Sequence, residues 1–187
     1  MLRYDVVCKI GEGNRGEVYK VRLENGQMAA LKWSKSYNID KEWEILNFLN
    51  GKFAPKPLFR GKRYLVMELI EGKVLKDLIG TKDYYILLKN AFEGAFYLDK
   101  KGVFHKQLGR YYHIFLTKDG AKFVDFERAV FSNNPRNFLQ LIGYYLQRDE
   151  NFDKKELQKL ILDYKTSSLE GLKRVKVMLD EVINKKR

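Results

Sequence analysis

Eight residues near the N-terminus have the composition of a phosphate cradle. Gly11-Glu12-Gly13-Asn14-Arg15-Gly16-Glu17-Val18 fits G-x-G-x-x-G-x-V, a pattern in which glycines let backbone N–H groups approach phosphate oxygens. An ordinary glycine-rich hairpin has the same composition, so the loop needs company. It finds some at Ala29-Ala30-Leu31-Lys32, where a lysine lies on an apolar strand, followed by a helical segment carrying Glu42. A carboxylate there can hold the ammonium for work on phosphate. Glu44 is the neighbouring candidate, separated from Glu42 by helical rotation. Much further along, Asp125 and Glu127 lie two residues apart, which in extended backbone puts both carboxylates on one face. Gln107 follows His105 in a short apolar stretch; its amide can orient a hydroxyl but cannot take up a proton at any useful pH.

These side chains need elements to position them. Tyr4–Ile10, Glu17–Leu23 and Met28–Trp33 alternate and are rich in strand formers, so three strands are expected, with Glu24-Asn25-Gly26 as a hairpin turn. The strand–loop–strand setting of the glycines excludes a dinucleotide-binding fingerprint, which must open a helix. Asp40 is the expected N-cap of a helix in which Glu42, Trp43, Ile45, Leu46 and Leu49 follow at helical spacing up to Asn50-Gly51. Ala54-Pro55-Lys56-Pro57 forces an extended connector, and strands are expected over Leu58–Gly61 and Tyr64–Leu69. Beyond Glu71-Gly72 the pattern turns helical. Helices are expected over Val74–Ile79, Tyr84–Lys100, Asn137–Leu146, Lys154–Tyr164 and Leu169–Asn184, with strands over Val103–Leu108, Ile114–Leu116 and Lys122–Phe126 between them. The reading is α+β with two lobes, residues 1–70 as an antiparallel sheet bearing one helix and residues 71–187 as a compact, mainly helical lobe.

In this order and spacing the chain resembles the protein kinase superfamily. Gly11–Val18 looks like the nucleotide loop, and Ala30 with Lys32 like the V-A-I-K strand. Glu42 resembles the glutamate that pairs with that lysine, and the family's spacing to Ile45-Leu46 favours it over Glu44. Val66-Met67-Glu68-Leu69-Ile70 looks like the gatekeeper and hinge, Gly102–Leu108 like the approach to the catalytic loop, and Phe123-Val124-Asp125-Phe126-Glu127 like the metal-binding D-F-G. The resemblance implies a bilobal kinase-like fold that binds ATP with Mg²⁺. It implies that the backbones of Glu68 and Ile70 bond adenine beside Met67, and that Ile10, Val18 and Ala30 form its apolar roof. By the same resemblance the loop glycines Gly11, Gly13 and Gly16 and Lys32 would hold phosphates, Asp125 would hold the metal, and Glu127 is the expected second metal contact. The phosphate acceptor is a protein, by resemblance to serine/threonine kinases, or a small molecule. The chain resembles small archaeal-type serine/threonine kinases and RIO-like kinases, which also have compact C-lobes and short or absent activation segments; RIO-like kinases keep an aspartate where Gln107 stands, so that resemblance covers the fold better than the mechanism.

The departures from the pattern bear on activity. Gln107 stands where the family has the aspartate that accepts the substrate hydroxyl's proton, Lys106 replaces an arginine, and Glu127 replaces the D-F-G glycine. The downstream metal-binding asparagine falls on Tyr112 or His113. Only 60 residues follow Glu127 in the 187-residue chain, with no A-P-E, so a full activation segment is missing. General acid–base assistance is worth roughly 10²–10⁴-fold, whereas phosphoryl transfer rests mainly on positioning and charge. With Lys32, Glu42 and Asp125 intact, a slow, atypical phosphotransferase is expected, with Gln107 orienting the acceptor; a pseudokinase acting as a nucleotide-responsive binding module is the alternative.

Bulk composition bounds the rest. At 45% hydrophobic and 14% aromatic the chain carries a real core. One cysteine, Cys8, excludes a disulfide framework and is expected to be a small buried residue. No stretch nears the roughly 18 apolar residues of a membrane helix and no signal peptide opens the chain, so a cytoplasmic protein without a membrane partner is expected. The formal charge of +12 attracts polyanions. Lys32 accounts for part of it; Arg15 is either a γ-phosphate contact or a solvated loop charge. Residues 171–187 carry six basic against two acidic residues, and this surface is either the solvated side of a docked helix with Leu172, Val175, Leu179 and Val182 inward, or a contact for an acidic or RNA partner, the latter giving an RNA- or ribosome-associated ATPase-like switch.

Overall fold

The computed structural model describes residues 2–186. Among these the chain is α+β, with a five-stranded antiparallel sheet and five α-helices. It divides into two compact units: residues up to Glu71 together with Phe123–Ala129, and Gly72–Lys122 together with the chain from Val130 onward. The return of Phe123–Ala129 to the first unit is not foreseen by a single boundary near residue 70. No helix among the described residues is long and apolar enough to cross a membrane.

In the first unit, β1 (Tyr4–Gly13), β2 (Gly16–Leu23), β3 (Met28–Ser34), β4 (Pro57–Arg60) and β5 (Tyr64–Glu68) form a sheet of order β1-β2-β3-β5-β4. Both early connections are tight antiparallel hairpins, with Gly13 opposite Gly16 at the glycine loop. One sheet face buries Val21, Ala29, Leu31 and Val66 beneath Tyr4, Tyr19, Phe59 and Tyr64. The alternation of β3 sends Ala30, Lys32 and Ser34 to the opposite face. The helix α1 (Asp40–Leu49) serves that second face, burying Glu42, Ile45, Leu46 and Leu49, and ends on left-handed Asn50. Asp40 is not its N-cap: Ile39 holds that position, Asn38 Oδ1 accepts from the Asp40 N–H, and the Asp40 carboxylate pairs with Arg60. Cys8 is exposed rather than buried, because β1 is an edge strand with only one neighbour.

In the second unit, α2 (Lys82–Lys100) packs against α3 (Asn137–Leu141) and α5 (Ser168–Lys185), and α4 (Lys154–Thr166) packs on α5. Leu87, Leu88, Ala91, Phe92, Ala95 and Leu98 supply the buried stripe of α2, and Val175, Leu179 and Val182 that of α5, with Leu172 half-buried at its start. Phe138 stacks on Tyr164 at 3.9 Å and meets Phe92 edge-on at 4.8 Å. Around this core run β6 (Lys73–Val74), β8 (Ile114–Thr117) and β9 (Gly120–Phe123) as one small sheet, and β7 (Val103–Phe104) with β10 (Val130–Phe131) as another.

Four expected elements come out shorter or broken, each for a local reason. Val103–Leu108 is a strand only to Phe104, since Lys106 has a left-handed φ of 69°. The strand expected over Lys122–Phe126 ends at Phe123 because Asp125 has φ 65°. The helix from Asn137 widens after Leu141 into a π turn over Ile142–Leu146, closed by Gln147 N–H on the Ile142 carbonyl. Val74–Ile79 is a single 3₁₀ turn, Leu75–Leu78.

Candidate functional site

In the first unit the structure brings Lys32, Glu42 and Asp125 together. Lys32 Nζ donates to Glu42 Oε1 at 2.9 Å and to Asp125 Oδ1 at 2.6 Å. Strand alternation aims the lysine and helical rotation aims the glutamate: Glu42 is buried, while Glu44 is exposed. Lys32 and Glu42 are only 6% and 2% exposed, so the pair works in a poorly solvated setting where charge interactions are strong. Burial alone would depress the Lys32 ammonium, but the Glu42 and Asp125 carboxylates outweigh it and hold the group above its ordinary value. Lys32 is therefore a fixed positive charge.

Asp125 rides on Phe123–Ala129, a segment anchored by the Phe123 N–H on the Phe53 carbonyl and by the fully buried ring of Phe126. Its left-handed backbone corrects the expectation that Asp125 and Glu127 share a face of extended chain. The two carboxylates instead take different cations. Asp125 faces Lys32, and Glu127 lies 3.5 Å from Arg15 Nη1. Burial, then the charge of Asp125, raise the Glu127 carboxyl above its ordinary range. Arg15 is thus more than a solvated tip: its guanidinium also lies 5.3 Å from the centre of the Tyr37 ring.

Register places the remaining expected contacts. Val18 is opposite Lys32 across β2–β3, and Ala30 is opposite Met67 across β3–β5. Ala30 and Met67 are buried, Val18 and Gly11 half-buried, Ile10 and Gly13 exposed. Glu68 is tied to the A-P-K-P connector in both directions, its N–H donating to the Lys56 carbonyl and its carboxylate accepting from the Lys56 N–H. Ile70 lies just past β5, half-buried. Gly16 is required by space, since a Cβ there would sit 2.4 Å from the Trp33 carbonyl oxygen; at Gly13 a Cβ meets nothing. Among the described residues, no three His, Cys, Asp or Glu side chains gather into a metal cage.

Gln107 belongs to the second unit. It is buried, and its side-chain Oε1 has no hydrogen-bond partner among the described residues. The Gln107 N–H donates to His105 Nδ1 at 3.3 Å, which makes that ring nitrogen an acceptor. The loop is fixed from α3: Asn137 Oδ1 accepts from the His105 N–H at 2.9 Å, and its Nδ2 donates to the Val103 carbonyl and to Asp99. His105 is fully buried, as expected of a packing histidine, and His113 is nearly so, its ring 5.9 Å from that of His105. Tyr112 points outward beneath Lys76, whereas His113 is turned inward.

Sequence reasoning missed Tyr37 and Asn137. Tyr37 donates its hydroxyl to Glu42 Oε2 at 2.7 Å and lies under both Arg15 and Lys32. It sits in a connection with no periodicity, and nothing in its neighbours announces the contact. Asn137 had one available cue, a polar residue opening a helix just after Pro135. No protein-family model matches the chain, and no curated protein matches it either.

Proposed function

We propose that the protein binds ATP with Mg²⁺ and acts as a protein-kinase-like phosphotransferase of low, atypical activity. The observation that carries the reading is the buried Lys32 ammonium held between Glu42 and Asp125, with a glycine hairpin on the adjoining strands. A charge of this kind neutralises phosphate oxygens, and phosphoryl transfer depends chiefly on such neutralisation and on alignment. In this role Glu42 aims Lys32, the hairpin N–H groups cover the phosphates, and Ala30, Val18 and Met67 give adenine an apolar seat.

Asp125 and Glu127 offer hard oxygen donors of the kind a divalent cation takes, and such an ion would compete for them with Lys32 and Arg15, the cations they now face. Mg²⁺ is commonly held by one or two carboxylates with substrate phosphates and water completing its shell, so a dedicated cage is not needed. When bound, the ion shields the charge of the phosphates. The chain's own contribution is to hold Asp125 and Glu127 ready and to keep Lys32 charged.

Gln107 takes the acceptor in this reading. Its amide can orient a hydroxyl but cannot remove the proton, which must pass to a phosphate oxygen or to solvent. The test is nucleotide binding followed by turnover on the same preparation. ATP with Mg²⁺ is expected to raise the melting temperature, by an amount equivalent to about 2.7 kcal/mol at 100 times Kd, and Lys32→Ala and Asp125→Ala to abolish the shift. Phosphate transfer abolished by Asp125→Ala supports the enzyme; binding without transfer gives a nucleotide-responsive binding module; no stabilisation at millimolar ATP overturns both.

A further inference from the structure

The electrostatic cluster of the first unit has a member that neither nucleotide loop nor metal pair explains. Tyr37 lies in the connection between β3 and α1, half-buried in a stretch with no regular structure. Its place is set by Ser34, which shares the Lys32 face of β3. The Ser34 hydroxyl accepts from the Tyr37 N–H at 3.1 Å and donates to the Tyr37 carbonyl at 2.5 Å, folding the connection back on the strand. Helix α1 starts three residues later, so Glu42 is reached within its first turn.

The tyrosine then makes two different contacts. Its hydroxyl donates to Glu42 Oε2, the oxygen that Lys32 does not take. With Glu42 2% exposed, that oxygen would otherwise be a buried acceptor facing no donor, and the carboxylate could turn both oxygens onto Lys32. The hydroxyl therefore fixes the plane of the carboxylate, and so the direction in which the ammonium points. On the ring, the Arg15 guanidinium lies 5.3 Å from the centroid and Lys32 Nζ 5.4 Å, within the range of attraction to an aromatic face. Arg15 is the tip of the glycine hairpin and also reaches Glu127.

We propose that Tyr37 is a positioning residue, its hydroxyl setting the Lys32–Glu42 pair and its ring seating Arg15, so that the glycine loop and the phosphate-binding lysine adopt their working positions together. The role rests on the nucleotide-binding reading above. It concerns alignment, since Tyr37 has no contact with transferred atoms to make. Loss of the hydroxyl loosens the lysine alone; loss of the ring also releases the loop.

The experiment compares Tyr37→Phe with Tyr37→Leu, alone and with Arg15→Ala, for ATP–Mg²⁺ affinity by calorimetry alongside melting temperature. Tyr37→Phe is expected to weaken ATP about 10-fold, the scale of one hydrogen bond to a charged group, with little change in melting temperature. Tyr37→Leu weakens it further. In combination with Arg15→Ala, the effect of Tyr37→Leu falls short of the product of the single changes, because both remove one contact, whereas Tyr37→Phe combines multiplicatively. Unchanged affinity in both Tyr37 variants, or loss of stability that fully accounts for the weakening, overturns the proposal. A second arm needs no nucleotide: Tyr37→Phe and Glu42→Ala in a double-mutant cycle of urea unfolding should be coupled by about fivefold in the equilibrium constant. Failure of wild-type protein to bind ATP overturns the function while this arm still decides the contact; absence of coupling overturns the contact even where ATP binds.

Discussion

Lys32 and Asp125 are 93 residues apart in the chain and 2.6 Å apart in space. The bond is one of several contacts that tie Phe123–Ala129 to the unit built by the first 71 residues: a segment in the middle of the sequence returns to complete a cluster on β3. Lys32 is shared, however, since its other carboxylate is the deeply buried Glu42. The two bonds are therefore unequal in their consequences.

Removing the lysine strands Glu42. Lys32→Met leaves a carboxylate of 2% exposure facing an apolar side chain, and breaking a buried pair in this way costs about 3–5 kcal/mol. Asp125→Ala leaves Lys32 still bonded to Glu42, and the lost carboxylate is 29% exposed; about 1.5 kcal/mol is expected, the low end for a hydrogen bond between charged groups. Urea unfolding of the two variants should separate them by about 1.5 kcal/mol or more on these scales. Equal losses would mean that Asp125, not Glu42, is the lysine's structural partner.

Two loop glycines should divide into a structural and a functional one. Gly16→Ala drives a Cβ to 2.4 Å from the Trp33 carbonyl oxygen, which is backbone within the sheet and cannot step aside. A cost of about 1–3 kcal/mol is expected, as for other overpacked positions. Gly13→Ala meets no atom within 4 Å and should stay within about 0.5 kcal/mol of wild type. If the hairpin covers phosphates, Gly13→Ala nevertheless weakens ATP binding, because the methyl occupies the approach to the backbone. Thermal unfolding and ATP titration on both variants check the pair. A stable Gly16→Ala protein would contradict the packing, and unaltered affinity in Gly13→Ala would remove Gly13 from the binding surface.

The contrast between Lys32 and Tyr37 shows what the sequence could and could not disclose. Lys32, Glu42, Val18 and Ala30 were legible because strand and helix periods fix where such side chains point, and the periods are visible in β2, β3 and α1. Helical rotation set Glu42 and Glu44 apart, and the resemblance's spacing to Ile45-Leu46 was needed to choose Glu42. Tyr37 was not legible, since its position depends on two bonds to Ser34 across an aperiodic connection. Positive φ at Lys106 and Asp125, neither of them glycine, broke two strands that composition favoured, and nothing in the residue types announces that conformation. Asn137 was visible only as a polar residue opening a helix after Pro135; its bond to His105, 32 residues away, was not.

Asp99 should leave a signature in the pH dependence of stability. It accepts from the Asn137 and Phe138 N–H groups, Asn137 Nδ2 and the Tyr164 hydroxyl, capping α3 with a carboxylate. Burial nevertheless outweighs these donors and raises the carboxyl above its ordinary value of 3.8. A raised value in the folded state means that the folded protein holds the proton more tightly than the unfolded chain. The contribution is therefore fully present below pH 3.8 and is lost as pH rises through the higher folded value. Asp99→Asn does not titrate. The unfolding free energy of wild type minus that of Asp99→Asn should fall with rising pH just above 3.8 and level off after. A difference that rises instead would show that the four donors dominate burial.

Gln107 gives the sharpest test of whether chemistry is limited by a missing base. Its backbone is fixed by the N–H donating to His105 Nδ1, while its side-chain Oε1 is buried with no hydrogen-bond partner among the described residues. Gln107→Asp puts an ionisable oxygen one methylene short of that point, and burial of the carboxylate would push its pKa upward toward the range useful for a general base. If the protein transfers phosphate slowly because the acceptor's proton has no acceptor, turnover should rise by up to about 10²–10⁴-fold, with the gain growing as pH increases through the new group's pKa. ATP affinity should stay unchanged, because the residue is assigned to the acceptor and not to the nucleotide. A loss of turnover at constant ATP affinity would show the reverse: the amide is the fitted group, and reach and orientation at residue 107 outweigh basicity.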